Sequence, residues 1–181
     1  MKVELIYESD GKISGLHQEW SFDDMFSSFA VQGLGSGMAS DFTREELAPL
    51  AKENIESLKE QGYFISVTAD GMKVPLADPS PNYSFAFKDH VLSLDFTLPL
   101  RTPVKAKQLR VDIYDPVGFV ALAFDKEAPV RLINAPNCKL NYEMPHGMTF
   151  PDGKPLSQMP THSKVMNWGA QFGNKILVNC P

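Results

Sequence analysis

The sequence has little that would name a chemistry at sight. Its 181 residues include only two cysteines and four histidines. The cysteines, Cys138 and Cys180, lie too far apart for a Cys-x-x-Cys redox pair or a zinc knuckle. There is no basic block: 17 lysines and arginines stand against 22 acids, for a net charge of -5. Nucleic acids and anionic bilayers both demand a cationic face, so neither is expected as the main partner. No apolar run approaches the roughly 20 residues of a membrane-spanning helix, so direct insertion is not expected. A Gly-x-Ser-x-Gly elbow is missing, and no cysteine has a plausible histidine partner, so no nucleophile–base pair emerges. Gly33-Leu34-Gly35-Ser36-Gly37 follows a helical pattern rather than a strand, which excludes a phosphate-cradling loop. A hydrolase is therefore the weakest of the functional classes considered.

What remains suits one domain with a real core: 43% of the residues are hydrophobic, 10% aromatic and 22% charged. Glu4 and Glu8 interrupt the opening run, so Met1 to Glu8 is not a secretory leader. The opening fits either a cytosolic protein or a mature fragment whose leader has been removed. The cysteines bear on that choice. Two unreacted buried thiols would suit a reducing compartment, whereas an even pair in an oxidising one suits a bridge. The expectation is a structural disulfide. Closing a loop of about 40 residues would stabilise the fold by roughly 4 kcal/mol and pin an otherwise loosely attached tail.

Lys2 to Tyr7 and Lys12 to Trp20 flank the turn Ser9-Asp10-Gly11 and predict a hairpin. Ser21 to Phe29 begins with a Ser cap and two acids, with Phe22, Met25, Phe26 and Phe29 at helical spacing. Thr43-Arg44-Glu45-Glu46 is a capping box. It launches a helix over Glu45 to Gln61 that buries Leu47, Leu50, Ala51, Ile55 and Leu58, and Gly62 stops it. Short strands follow at Tyr63 to Thr68, Tyr83 to Phe87, Val91 to Leu98, Leu109 to Tyr114, Val117 to Phe124, Val130 to Ile133 and Cys138 to Tyr142. A short helix is expected around Thr161 to Trp168 and a last strand over Lys175 to Asn179. The predicted class is mainly β (α+β), an antiparallel β-sandwich-like body. It carries a two-helix insertion after the second strand and a disulfide-tethered C-terminal tail. Residues 1–21 and 62–143 would form the β body, 22–61 the helical insertion, and 144–181 a loop-rich tail ending in a strand, all in one domain.

Several segments taken together resemble the DUF1007 family. They are Trp20-Ser21-Phe22-Asp23-Asp24-Met25, Glu45-Glu46-Leu47-Ala48-Pro49-Leu50-Ala51, Gly62-Tyr63-Phe64, Tyr114-Asp115-Pro116 before an apolar run, and the distant cysteine pair. The resemblance spans nearly the whole chain. It implies a bacterial periplasmic transport-system component, associated with an inner-membrane metal transporter or permease, and it supports the disulfide. Two departures stand out. The His-Pro-His-like start of many members is absent. So is the calcium loop between the helices, because Gly35, Gly37 and Ala39 offer no side-chain oxygen where ligands would be needed, and calcium is not expected.

If a metal is held at all, Ni, Co, Zn or Cu are the candidates. Met144-x-His146-x-Met148, with His162 further on, offers thioethers and imidazoles of the kind that select Cu(I). His17 and Glu19 point to one face of a strand, a workable spacing for harder metals. Each set has a plainer reading: apolar filler in a loop-rich tail for the first, the polar face of a half-exposed strand for the second. Asp23 and Asp24 are best read as first-turn acids of a helix, and Asp115 as an acceptor for local backbone amides. The aromatic stretch Phe22 to Leu34 either caps the open end of the body or presents an apolar patch to a partner. Two functions follow: an accessory or binding protein for metal-ion transport, or a ligand-free interaction module docking onto a transporter through its helical insertion.

Overall fold

A computed structural model describes residues 1–34, 42–117, 119–135, 137–143 and 173–181. The first hairpin forms as expected. Strands β1 (Lys2–Tyr7) and β2 (Ile13–Ser21) pair antiparallel. Gly11 takes a positive φ of 81° in their turn, and the Asp10 carboxylate accepts from the Lys12 amide at 3.0 Å. Helices α1 (Asp24–Ala30) and α2 (Arg44–Glu60) come next. The cap of α1 is Asp23, not Ser21: its carboxylate accepts from the Phe26 amide at 2.8 Å. Thr43 and Glu46 form the reciprocal capping box of α2, and Leu47, Ala51 and Ile55 are its buried stripe.

The rest of the chain is built from β3 (Ile65–Ala69), β4 (Met72–Val74), β5 (Ser84–Lys88), β6 (Val91–Val104), β7 (Gln108–Ile113), β8 (Val130–Ile133), β9 (Lys139–Glu143) and β10 (Asn174–Asn179). They make two five-stranded sheets, ordered β5-β6-β2-β1-β8 and β4-β3-β7-β10-β9. All pairings are antiparallel except β1 with β8, which run parallel with Val3 opposite Val130. Inward side chains of both sheets, Leu5, Leu16, Leu94, Phe96 and Leu98 from one and Val67, Val111, Ile113, Ile176 and Val178 from the other, form a single core with the stripe of α2. The class is therefore the mainly β sandwich with two helices after the second strand. A disulfide joins Cys138 to Cys180 and tethers the C-terminus.

Three expectations need correction. Val117 to Phe124 is not a strand. The Asp115 carboxylate accepts from the amides of Val117, Phe119 and Val120 at 2.9, 2.8 and 2.8 Å. Those are donors that a ladder would require, so the segment becomes a strap held across the sandwich end. The last strand is not loosely attached either. β10 lies inside its sheet between β7 and β9, with Ile176 and Val178 fully buried. Finally, β6 continues past Leu98 through Pro99 to Val104. Pro99 stands opposite Gly15 at an irregularity of β2, and the Pro99 carbonyl accepts from the Ala77 amide at 2.8 Å. The helix expected around Thr161 to Trp168 lies outside the described residues.

Candidate docking cleft

Among the described residues, exposed large apolar side chains gather where α1, α2 and the Asp115 strap meet. Each wall has its own fastening. α1 is only seven residues long, too short to stand alone. It is tied to β6 through Ser27, a fully buried residue whose hydroxyl accepts from the Leu92 amide at 3.0 Å. The neighbouring Phe22 amide donates to the Leu92 carbonyl at 2.9 Å. Phe22 stacks on Phe26 with ring centroids 4.6 Å apart and leans on Phe85 at 5.8 Å. α2 packs on β5 and reverses through a left-handed turn at Gly62–Phe64, where Gly62, Tyr63 and Phe64 all have positive φ. The Phe64 carbonyl there accepts from the Tyr114 amide at 3.0 Å, joining the helix exit to the strap. At the other end of the strap, the Asn174 side chain donates to the Leu122 carbonyl at 2.8 Å. Phe124 is buried edge-on against Tyr142 at 5.8 Å.

Between these walls lies a hollow of about 560 Å³, lined by Trp20, Phe22, Phe26, Leu58, Phe64 and the strap residues Phe119 to Ala123. A second, more open hollow of about 510 Å³ lies between α1 and α2, with Phe29, Leu50 and Glu53 in its lining. The two share Phe26, Asn54 and Ser57, so they are parts of one groove. Its lining holds large apolar side chains open to solvent: Phe29 is 74% exposed and Phe119 91%. The aromatic stretch after Phe22 is thus only partly a cap on the core. Phe22 packs inward, while Met25 and Phe29 face solvent.

Trp20, Phe22 and Asp23 all line the cleft, and the Tyr114-Asp115-Pro116 turn anchors the strap that supplies its far wall. Asp115 is buried and accepts local backbone amides, the role its turn position suggests.

The harder metal pair is accounted for otherwise. His17 and Glu19 share the outer face of β2, but His17 lies 3.1 Å from both the Asp95 carboxylate and the Thr97 hydroxyl. Glu19 pairs with Lys2 at 3.2 Å. Among the described residues, no three histidine, cysteine or acidic side chains converge to hold a metal ion. Met144, His146, Met148 and His162 lie outside the described residues. Sequence reasoning missed Ser27, Asn54, Ser57, Phe119 and Asn174. Only its helical spacing from Ala30 and Val31, which pack against the core, could have hinted at Ser27.

One family model, described as a protein of unknown function, DUF1007, matches residues 1–180. No curated protein matches the chain, and no solved structure does.

Proposed function

The chain belongs to the DUF1007 family, and from that premise we propose that it is an exported, ligand-free docking module. On this reading it serves a membrane metal-transport system outside the cytoplasm by seating a segment of the permease in the cleft beside α1. The observation that carries the reading is the exposure of Phe29 and Phe119, which line two adjoining hollows that share Phe26, Asn54 and Ser57, with α1 and the strap each fixed by polar bonds. Exposed apolar surface of this kind marks interaction sites. The Cys138–Cys180 bridge is compatible with an oxidising compartment and supports the periplasmic placement. The reading needs no metal on this chain.

Site-specific photocrosslinking in producing cells tests it. A photoreactive residue at Phe29 or Phe119 is expected to give an adduct identified as an integral membrane transporter subunit. The same residue at Met72, exposed at the far end of the other sheet, should give none. The adduct should survive chelators and disappear when Ser57→Arg fills the groove. Equal labelling at Met72, or an adduct that depends on added metal, would overturn the reading.

A further inference from the structure

We infer that a smaller hollow beside Tyr63, where the β3–β4 ladder stops, is a binding site for a small organic carboxylate. The inference goes beyond the docking reading, which seats a protein segment without any small ligand. The Gly62-Tyr63-Phe64 segment supplies the first observation. These three successive residues hold φ at 59°, 57° and 55°, and only the first is a glycine. Left-handed backbone is costly where a Cβ is present, and it persists where the surroundings impose it, often at ligand sites. The turn puts Phe64 in the lining of the docking cleft and Tyr63 in that of a separate hollow of about 280 Å³. Tyr63 is only 5% exposed, and its buried hydroxyl has no hydrogen-bond partner. Buried hydroxyls are as a rule paired, so this one is a group left over by the fold.

The hollow exists because a rung is missing. β3 and β4 pair from Ala69–Met72 as far as Val67–Val74. The next rung would set Leu76 opposite Ile65. Instead the chain crosses to β6, where Leu76 bridges Leu100. The Arg101 amide donates to the Pro75 carbonyl at 2.9 Å, and the Ala77 amide to the Pro99 carbonyl at 2.8 Å. In a pair bonded through its neighbours, the amide and carbonyl of Leu76 itself point away from β6. Among the described residues nothing accepts from that amide. Ile65 and Leu76 both line the hollow. Two unused donors, one hydroxyl and one amide, therefore belong to a single gap with Ile65, Val67 and Val74 as apolar walls.

Unused donors call for a ligand that brings acceptors. Burial first, and the Asp78 carboxylate second, push the Tyr63 phenol above its ordinary value, so it keeps the proton it would donate. Asp78 lines the same hollow, but Lys59 holds it at 2.7 Å and ties the end of α2 to the crossover. Lys73, also in the lining, makes no ion pair among the described residues. A carboxylate has two oxygens with lone pairs enough for the hydroxyl, the amide and an ammonium together. Its hydrocarbon part would lie against the apolar walls. The volume is at the lower end for ligand pockets, which limits the body to about one ring.

The test uses the full oxidised chain with benzoate, its uncharged isostere benzamide, benzylamine and inorganic phosphate, in titration calorimetry and amide NMR. Benzoate is expected to bind about tenfold or more tighter than benzamide and to shift the Leu76 amide resonance. Benzylamine and phosphate should not bind. Tyr63→Phe should leave the melting temperature of the free protein unchanged or raised, because the lost hydroxyl was unpaired, yet weaken benzoate about tenfold. Lys73→Gln should narrow the gap between benzoate and benzamide. No binding of benzoate at millimolar concentration would overturn the inference, as would equal binding of benzamide or phosphate. So would a Tyr63→Phe variant that melts lower when free, since the hydroxyl would then have a structural partner. The photocrosslink at Phe29 reads the docking proposal alone. An adduct without benzoate binding sinks only the carboxylate site, and benzoate binding without an adduct leaves that site standing.

Discussion

Removing the disulfide tests how the second sheet is held together. Cys138 precedes β9 and Cys180 follows β10, one rung beyond the Lys139–Asn179 pair, with the two Cα atoms 4.3 Å apart. The bridge closes a sequence separation of 42 residues. In the chain-entropy account, a loop of that size restricts the unfolded ensemble enough to stabilise the fold by about 4 kcal/mol. Little native-state gain offsets that figure, because β10 is already locked between β7 and β9 by its ladders. For a chain of this size about 1 kcal/mol corresponds to roughly 2–4 °C. The Cys138→Ser/Cys180→Ser double variant should then melt about 8–16 °C below the parent. The loss should also be uneven. Among the described residues β9 pairs only with β10 and has mostly exposed side chains, so its amides should lose exchange protection before those of β7. Urea unfolding of oxidised and reduced protein, with hydrogen exchange read at Leu140 and Val111, measures both effects. A stability loss below about 1 kcal/mol would refute the reasoning, as would a uniform loss of protection.

Asp115→Ala removes the acceptor of three strap amides in a buried position. It should destabilise the protein by about 2–4 kcal/mol and quench or shift the Trp20 emission as the strap leaves the cleft; an unchanged melting curve would contradict the role given to this carboxylate. Gly15→Ala places a Cβ 2.9 Å from the Leu98 carbonyl oxygen and 3.2 Å from the Pro99 Cα, both backbone, so a loss of about 2 kcal/mol or more is expected in denaturant unfolding. Burial pushes the Tyr7 hydroxyl up to about 12, so the folded state prefers the neutral phenol. That contribution is complete below the ordinary tyrosine value near 10 and is lost as pH rises from there through about 12. Tyr7→Phe should flatten the alkaline fall in stability over that window, as followed by thermal melts at successive pH values.

The parts of the fold that were legible are those fixed by neighbours in sequence. The Thr43–Glu46 capping box, the Asp10-Gly11 turn and the alternation of β6 are all local agreements between side chain and backbone, and each formed as read. The disulfide was legible because two lone cysteines leave only one pairing. What failed depended on partners that hydrophobic period does not reveal, near or far along the chain. Val117 to Phe124 has the apolar content of a strand, and only the capture of its amides by Asp115 turns it into a strap. The parallel match of β8 to β1 and the inner place of β10 are choices of register that hydrophobic period does not encode. Pro99 reads as a break, yet it fits a strand because the ladder is already irregular at Gly15.

The same distinction explains why the aromatic residues around the cleft were hard to assign. Phe22, Met25, Phe26 and Phe29 have the spacing of a buried stripe, and spacing alone cannot separate a face turned to the core from one turned to water. Burying a phenylalanine is worth roughly 1.5–3 kcal/mol, so leaving Phe29 and Phe119 in solvent forgoes about twice that. The fold does not collapse around them because their supports are polar and directional. Ser27 holds α1 at Leu92, and Asp115 holds the strap by its amides. If either support were only apolar packing, the groove could close by sliding one wall into the other. Fixed hydrogen bonds instead hold α1 and the strap in place, and on the docking proposal a bound partner would regain the burial which the isolated chain leaves unmade.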